Sequence, residues 1–335
     1  MRRRILVLVT SLLLGACTGG ADEPAAADRS VPPPPPSMAA TVDEDPLPAA
    51  AWSARAEAPL ALTEVTAAPF GGQIWVAGGY AENGRPVADV QVYDPASDTW
   101  SQGPPLPQPL HHTALVATGD RLFVLGGYTT PDFAAPTDAV HVLDPATGEW
   151  QEAPPLPEPR GAGAAAYDGE RVVYGGGVGL DGGVAADVIA LGGAAWEPVG
   201  ELQSPREHLA AASDGAGTVW LLGGRRGDAG NLAEVDLVVG DEVARGAALP
   251  TPRGGISGFH APGAGGCAAG GESGEGTFVE VECVSTDGEV TTLPDLAEPR
   301  HGIGAVTLDG NAYVLLGGPE PGLTVSDTTQ ALRLP

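Results

Sequence analysis

Glycine pairs recur at Gly78-Gly79, Gly126-Gly127, Gly175-Gly176, Gly223-Gly224, Gly270-Gly271 and Gly317-Gly318, with first members 48, 49, 48, 47 and 47 residues apart. A period of about 50 residues held from one end to the other marks a repeat architecture. Each repeat alone is too small to bury a core, so the units must pack on one another. Function is then expected in the assembled array and not within any single unit.

Composition narrows the type of unit. The 335 residues include 50 Gly and 33 Pro, with only 5% aromatics. That mixture favours many short strands and tight turns over helices. The formal net charge is −27, and Arg supplies all sixteen Lys-plus-Arg positions. A surface this acidic lacks the cationic footprint that nucleic acid requires. It also lacks the basic patch that would hold an anionic membrane surface. The acidity reads as a solvated coat that keeps the protein soluble.

The first segment reads as an address. Met1-Arg2-Arg3-Arg4 is basic, and Ile5 to Leu14 is apolar except for Thr10 and Ser11. The run is too short to span a bilayer and has the form of a signal-peptide core. Leu14-Gly15-Ala16-Cys17 then resembles the lipobox of bacterial lipoproteins. The resemblance implies cleavage before Cys17 and acylation of that residue, for instance with palmitate. It places the protein in the bacterial cell envelope, touching a membrane through its lipid alone. Two or more acyl chains anchor stably where one does not. Loss of residues 1–16 removes Arg2, Arg3 and Arg4 and no acid, so the mature side-chain charge is −27 − 3 = −30. Residues 17–50 hold the lipidated Cys and an Ala/Pro-rich stretch with Pro32 to Pro36. This composition cannot bury enough surface to order itself and reads as a tether.

Residues 51–335 form the repeat domain. The clearest unit runs through Val90-Gln91-Val92-Tyr93-Asp94-Pro95, Trp100, Pro104-Pro105-Leu106-Pro107, His111 to Val116, a turn at Gly119-Asp120, and Arg121 to Leu125 before its glycine pair. That is four short strands per period. Trp150, Trp196, Val243 and Val290 repeat the Trp100 position, each with Leu six residues later. The set resembles the kelch repeat. The resemblance implies an all-β, six-bladed β-propeller whose first strands line a central channel and whose Trp strands lie outermost. The last unit has three strands before Pro335, while Trp52 is followed by Ala58-Pro59 in the Trp100 spacing. The segment near Trp52 is therefore expected to complete the last blade, which leaves no open sheet edge. In the same frame Cys267 and Cys283 fall on adjacent strands of blade five. In an exported protein they are expected to form a disulfide.

The frame also aligns polar residues. Arg160, Arg206, Arg253 and Arg300 share one position before the channel strand, with Leu62 and Leu110 in the other two blades. Thr63, His111, Gly161, Glu207, Gly254 and His301 follow directly, His112 and His208 sit one further on, and Glu64 joins them if blade one follows the frame. A propeller would bring these positions to one channel mouth. Guanidinium forks suit carboxylates or phosphates, so Arg160, Arg206, Arg253, Arg300, His111, His208, His301 and Glu207 are ligand-binding candidates. The competing reading makes the Arg structural, satisfying loop carbonyls and Asp89, Asp138, Asp187 or Glu234. No zinc motif, phosphate loop or nucleophile elbow is present, so no metal, cofactor or catalytic residue is expected. The chain is read as a monomeric module for a protein, peptide or carbohydrate. The alternative is an extracytoplasmic sugar-modifying enzyme, mutarotase- or epimerase-like, working at the channel mouth.

Overall fold

A computed structural model describes residues 51–227 and 230–335. The signal segment, Cys17 and the tether lie outside the described residues. Six four-stranded antiparallel sheets follow one another around an axis. Blade one is Thr66–Phe70, Gln73–Ala77, Val90–Asp94 and Thr99–Gln102, and blades two to five repeat that order. The innermost strands are Thr66–Phe70, Ala114–Ala117, Ala164–Tyr167, Ala210–Ser213, Ser257–Ala261 and Gly304–Leu308, and together they line the channel. Their small side chains let six strands converge without overpacking.

Blade six takes its outer strand from the start of the domain. Ser53–Ala54 pairs with Thr329–Arg333, in the register Ser53 to Ala331 and Ala54 to Gln330. The expected closure is therefore observed. The same segment is clipped to two further blades. Trp52 Nε1 donates to Pro294 O at 2.8 Å in blade five, and Leu60 N donates to Gln91 Oε1 at 2.9 Å in blade one.

The outer tryptophans share that latch. Trp100, Trp150 and Trp196 donate through Nε1 to the carbonyls of Ala56, Pro104 and Pro154, each in the preceding blade. The indole packs its body between sheets and satisfies its one polar atom across the gap. Where Val243 replaces Trp, it sits on Gly200 of the preceding blade, where an added Cβ would come within 2.7 Å of it. Between the sheets the cores are aliphatic. One groups Leu62, Ile74, Tyr93, Leu315 and Ala331, drawing on blades six and one.

The glycine pairs end the second strand of each blade in left-handed backbone. At Gly78, with φ +64°, a Cβ would lie 2.5 Å from Leu110 O, so the next blade leaves no room for a side chain. Two pairs shift by one residue from their expected place. In blade three the left-handed pair is Gly176-Gly177, and Gly175 still belongs to the strand. In blade six Leu316 takes the first position at φ +58°, and Gly317 the second. Gly317 N donates to Leu62 O as Gly79 N donates to Leu110 O, which fixes the equivalence. Leu316 is fully buried, so apolar packing holds a backbone that a side chain ordinarily disfavours. In blade five the Cys267–Cys283 disulfide is formed between directly paired residues.

Deleting residues 51–58 removes the Trp52 latch and the outer strand of blade six. The expected loss is roughly 4 kcal/mol and about 10 °C in melting temperature. An unchanged calorimetric melt would refute closure by this segment.

Candidate functional site

The six residues two positions past the shared Arg/Leu site are Glu64, His112, Ala162, His208, Gly255 and Gly302, and all are left-handed, with φ between 50° and 67°. Their backbones form a closed circle. His112 N donates to Glu64 O, Ala162 N to His112 O, His208 N to Ala162 O, Gly255 N to His208 O, and Gly302 N to Gly255 O. Val65 N donates to Gly302 O and closes it. The channel is thus pinched at this mouth. Glu64, His112 and His208 cap a cavity of about 110 Å³ beneath it.

The four arginines do not form a free ring at this mouth. Arg206 and Arg253 are 0% exposed, Arg300 2% and Arg160 6%. Arg160 binds Asp187 through both terminal nitrogens, at 2.9 and 3.2 Å, and donates to Gly176 O. Arg206 faces Asp236 at 2.7 Å and donates to Leu221 O. Arg253 faces Glu282 at 2.7 Å and donates to the Gly270 and Glu280 carbonyls. Arg300 donates to Leu316 O and to Thr328 Oγ1. Each guanidinium satisfies carbonyls where the second strand ends, which is the structural role. A ligand at the mouth would meet the imidazoles and carboxylates instead.

Those groups form one connected cluster. Glu64 Oε2 lies 3.0 Å from His112 Nε2, and Glu64 Oε1 lies 3.1 Å from His301 Nδ1. His111 Nδ1 and His112 Nδ1 are 2.6 Å apart, and the His112 and His208 rings are 4.5 Å apart. His208 touches Glu207. Two residues outside the sequence-based set complete the cluster. Arg225 binds Glu207 at 3.1 Å, Glu272 at 2.9 Å and His208 Nε2 at 3.0 Å. Arg225 and Glu272 directly follow the glycine pairs of blades four and five, where blades one and two carry Tyr80 and Tyr128. Charge in place of an aromatic at that step was a readable signal. Phe133 lies over His111 and His112, with ring centres 5.1 Å from each.

Burial sets the protonation of this cluster. It would raise the Glu64 carboxyl, but the facing His112 and His301 imidazoles outweigh it and hold that group well below the usual carboxylate range. Burial pushes His111 down to about 4, helped by its neighbour His112. Burial, His112 and Arg225 hold His208 well below the ordinary imidazole range. Burial also opposes charge on His301, yet the Glu64 contact prevails and raises it. Tyr128 is pushed up to about 12 by burial.

The opposite mouth is wider and simpler. A space of about 380 Å³ opens there, lined by alanines with Tyr167, Asp214, His260 and Thr307. His260 stacks on Trp220 with centres 5.6 Å apart and stands away from the candidate histidines.

A family model for the KLHDC2/KLHL20/DRC7 kelch-repeats domain matches residues 47–177. Beta-scruin of Limulus polyphemus is 37% identical over 79 residues, covering 24% of this chain and 9% of that protein. Kelch-like protein 35 of Mus musculus is 34% identical over 82 residues, covering 24% of this chain and 14% of that protein. The Rab9 effector protein with kelch motifs of Bos taurus is 40% identical over 74 residues, covering 20% of each. The chain thus spans a fifth or less of these relatives. The solved structure of YjhT superposes with a TM-score of 0.69 at 14% identity, over 82% of this chain and 96% of its own, a likeness of fold.

The buried arginines give a stability test. Arg206→Ala leaves Asp236, 1% exposed, as an uncompensated charge, and should cost about 3–5 kcal/mol. Asp187→Asn removes the half-exposed partner of Arg160 and should cost about 1 kcal/mol or less. Urea melts that rank the two variants equally would overturn the structural role given to Arg206.

Proposed function

We propose that this chain, a member of the kelch-repeat family folded as a six-bladed propeller, is a binding module that receives a protein or peptide on its pinched face. One observation carries this reading. Among the described residues the exposed large hydrophobics are Phe133, Leu180, Leu323, Val239 and Val290. The first three stand on the loops that follow the glycine pairs of blades two, three and six. Those loops surround the pinched mouth, since Phe133 packs on His112 and Leu323 lies against the corresponding loop of blade one at Gly84. Apolar side chains around a polar centre are the composition of a recognition surface.

The lipobox-like Cys17 and its tether support an extracytoplasmic module held to a membrane by lipid. The Cys267–Cys283 bond agrees with an oxidising compartment. The tether would carry the propeller clear of the bilayer while the acyl chains hold it there.

Peptides selected from a random library against the propeller should lose affinity about tenfold or more on Phe133→Ser or Leu180→Ser, and keep it on Val239→Ser. Equal loss with Val239→Ser, or no enrichment at all, removes the reading. In cells, Cys17→Ser should move the full chain from the membrane fraction to the soluble fraction. Retention on the membrane would show that lipid at Cys17 is not the anchor.

A further inference from the structure

One buried imidazole at the pinched mouth is oriented as a metal ligand is. His301 is 0% exposed, and its Nε2 lies 3.1 Å from the carbonyl oxygen of Glu320. Nε2 therefore carries a proton, donated to that carbonyl. Nδ1 is left with no hydrogen-bond partner. It faces two carboxylate oxygens, Glu64 Oε1 at 3.1 Å and Glu272 Oε2 at 3.6 Å. A bare nitrogen facing two anions inside a protein is repulsive; a second ring proton relieves this in the free protein, and a metal cation at Nδ1 would take that proton's place. Histidines that bind metals are held in this way, with the far nitrogen tied to a carbonyl.

The spacing and charge agree. Two donors each about 2.1 Å from one ion lie roughly 3.0 to 3.4 Å apart. The ligand atoms of Glu64, Glu272 and His301 all fall within 4.8 Å of one another. The carboxylates Glu64, Glu207 and Glu272 with the Arg225 guanidinium sum to −3 + 1 = −2. One divalent ion balances that charge with the imidazoles neutral. His112 and His208 offer a second set on the other side of Glu64, but His208 is already bound by Arg225 and Glu207. A surface depression lined by Arg225, Asn231, Glu272 and Pro321 gives an approach beside Glu272.

Glycine meets the backbone need of the ring at Gly255 and Gly302. At Glu64 a side chain stands at φ 54°, where it is disfavoured by about 1–2 kcal/mol.

We propose that Glu64 Oε1, Glu272 Oε2 and His301 Nδ1 bind one divalent transition-metal ion, with zinc as the type. One nitrogen and two carboxylate oxygens suit zinc, manganese or ferrous iron. This site is independent of peptide capture by the loop rim, which Phe133 and Leu180 report.

The test uses the full chain without an affinity tag, stripped with chelator and titrated with Zn²⁺ by calorimetry. Binding is expected at about micromolar or below, weakened about tenfold or more by Glu272→Gln and by His301→Gln, and unchanged by His260→Gln. Melts in chelator show whether each variant is folded. A readout on the wild-type chain stands apart from any folding defect. In protein labelled with ¹⁵N-histidine, Zn²⁺ should shift one ring nitrogen of an imidazole whose other nitrogen stays protonated. No Zn²⁺ binding by the wild type, undiminished binding in folded Glu272→Gln, or a doubly protonated His301 ring unmoved by Zn²⁺ would each overturn the site.

Discussion

A closed circle of backbone hydrogen bonds at the pinched mouth is the constraint on which the rest of this propeller depends. Each amide reaches the preceding blade's carbonyl, and the circle returns through Val65 and Gly302 to its start. Such a circle closes only if every blade presents a left-handed residue at the same height. Six blades do so, four of them without glycine. The cost of left-handed backbone at Glu64, His112, Ala162 and His208 is carried by the blades packed around them. In return the side chains at these positions meet at the axis, where no rotation of a loop could bring them. The fold thus places its titratable groups through its main chain.

The arginines transmit that order outward. Each guanidinium lies behind the circle and bonds the carbonyls at which a second strand turns into its left-handed pair. Blades one and two do the same work with Leu62 and Leu110, both nearly inaccessible to solvent. Apolar contact and charged pairing are therefore alternative solutions to one packing problem. Asp236 and Glu282 are buried with their partners, whereas Asp187 is half exposed. The charged solution is accordingly dry in blades four and five and wet at blade three.

Much of this was legible in the chain. The spacing of the glycine pairs and the Trp52 orphan specified six blades and their closure, because both reflect hydrogen bonds repeated in every unit. Cys267 and Cys283 were aligned by the same frame. The frame slipped at Gly175 and Gly317, where a third glycine and a left-handed Leu316 hid the true step. The arginines were located but their direction was not, since position in a repeat does not say which way a long side chain turns. Arg225 and Glu272 lie outside the first-strand alignment, although the residue after each glycine pair bridges antiparallel to the start of that strand.

Blade five shows how these demands meet in one place. Gly254, Gly255, Gly258, Gly265 and Gly266 leave it poor in side chains around its inner strands. Trp220 of blade four fills the space over Gly266, where any Cβ would overlap the indole. The Cys267–Cys283 bond ties the second and third strands, in a blade without the paired Tyr93 and Trp100 of blade one. Chain-entropy arguments assign a closed loop of this size about 3 kcal/mol, comparable with burying a large apolar side chain. The same blade supplies Glu272, whose carboxylate meets Arg225 from blade four and faces His301 from blade six. The disulfide and the borrowed tryptophan thus brace the strand after which Glu272 stands, and tie the core of the blade to its polar cluster.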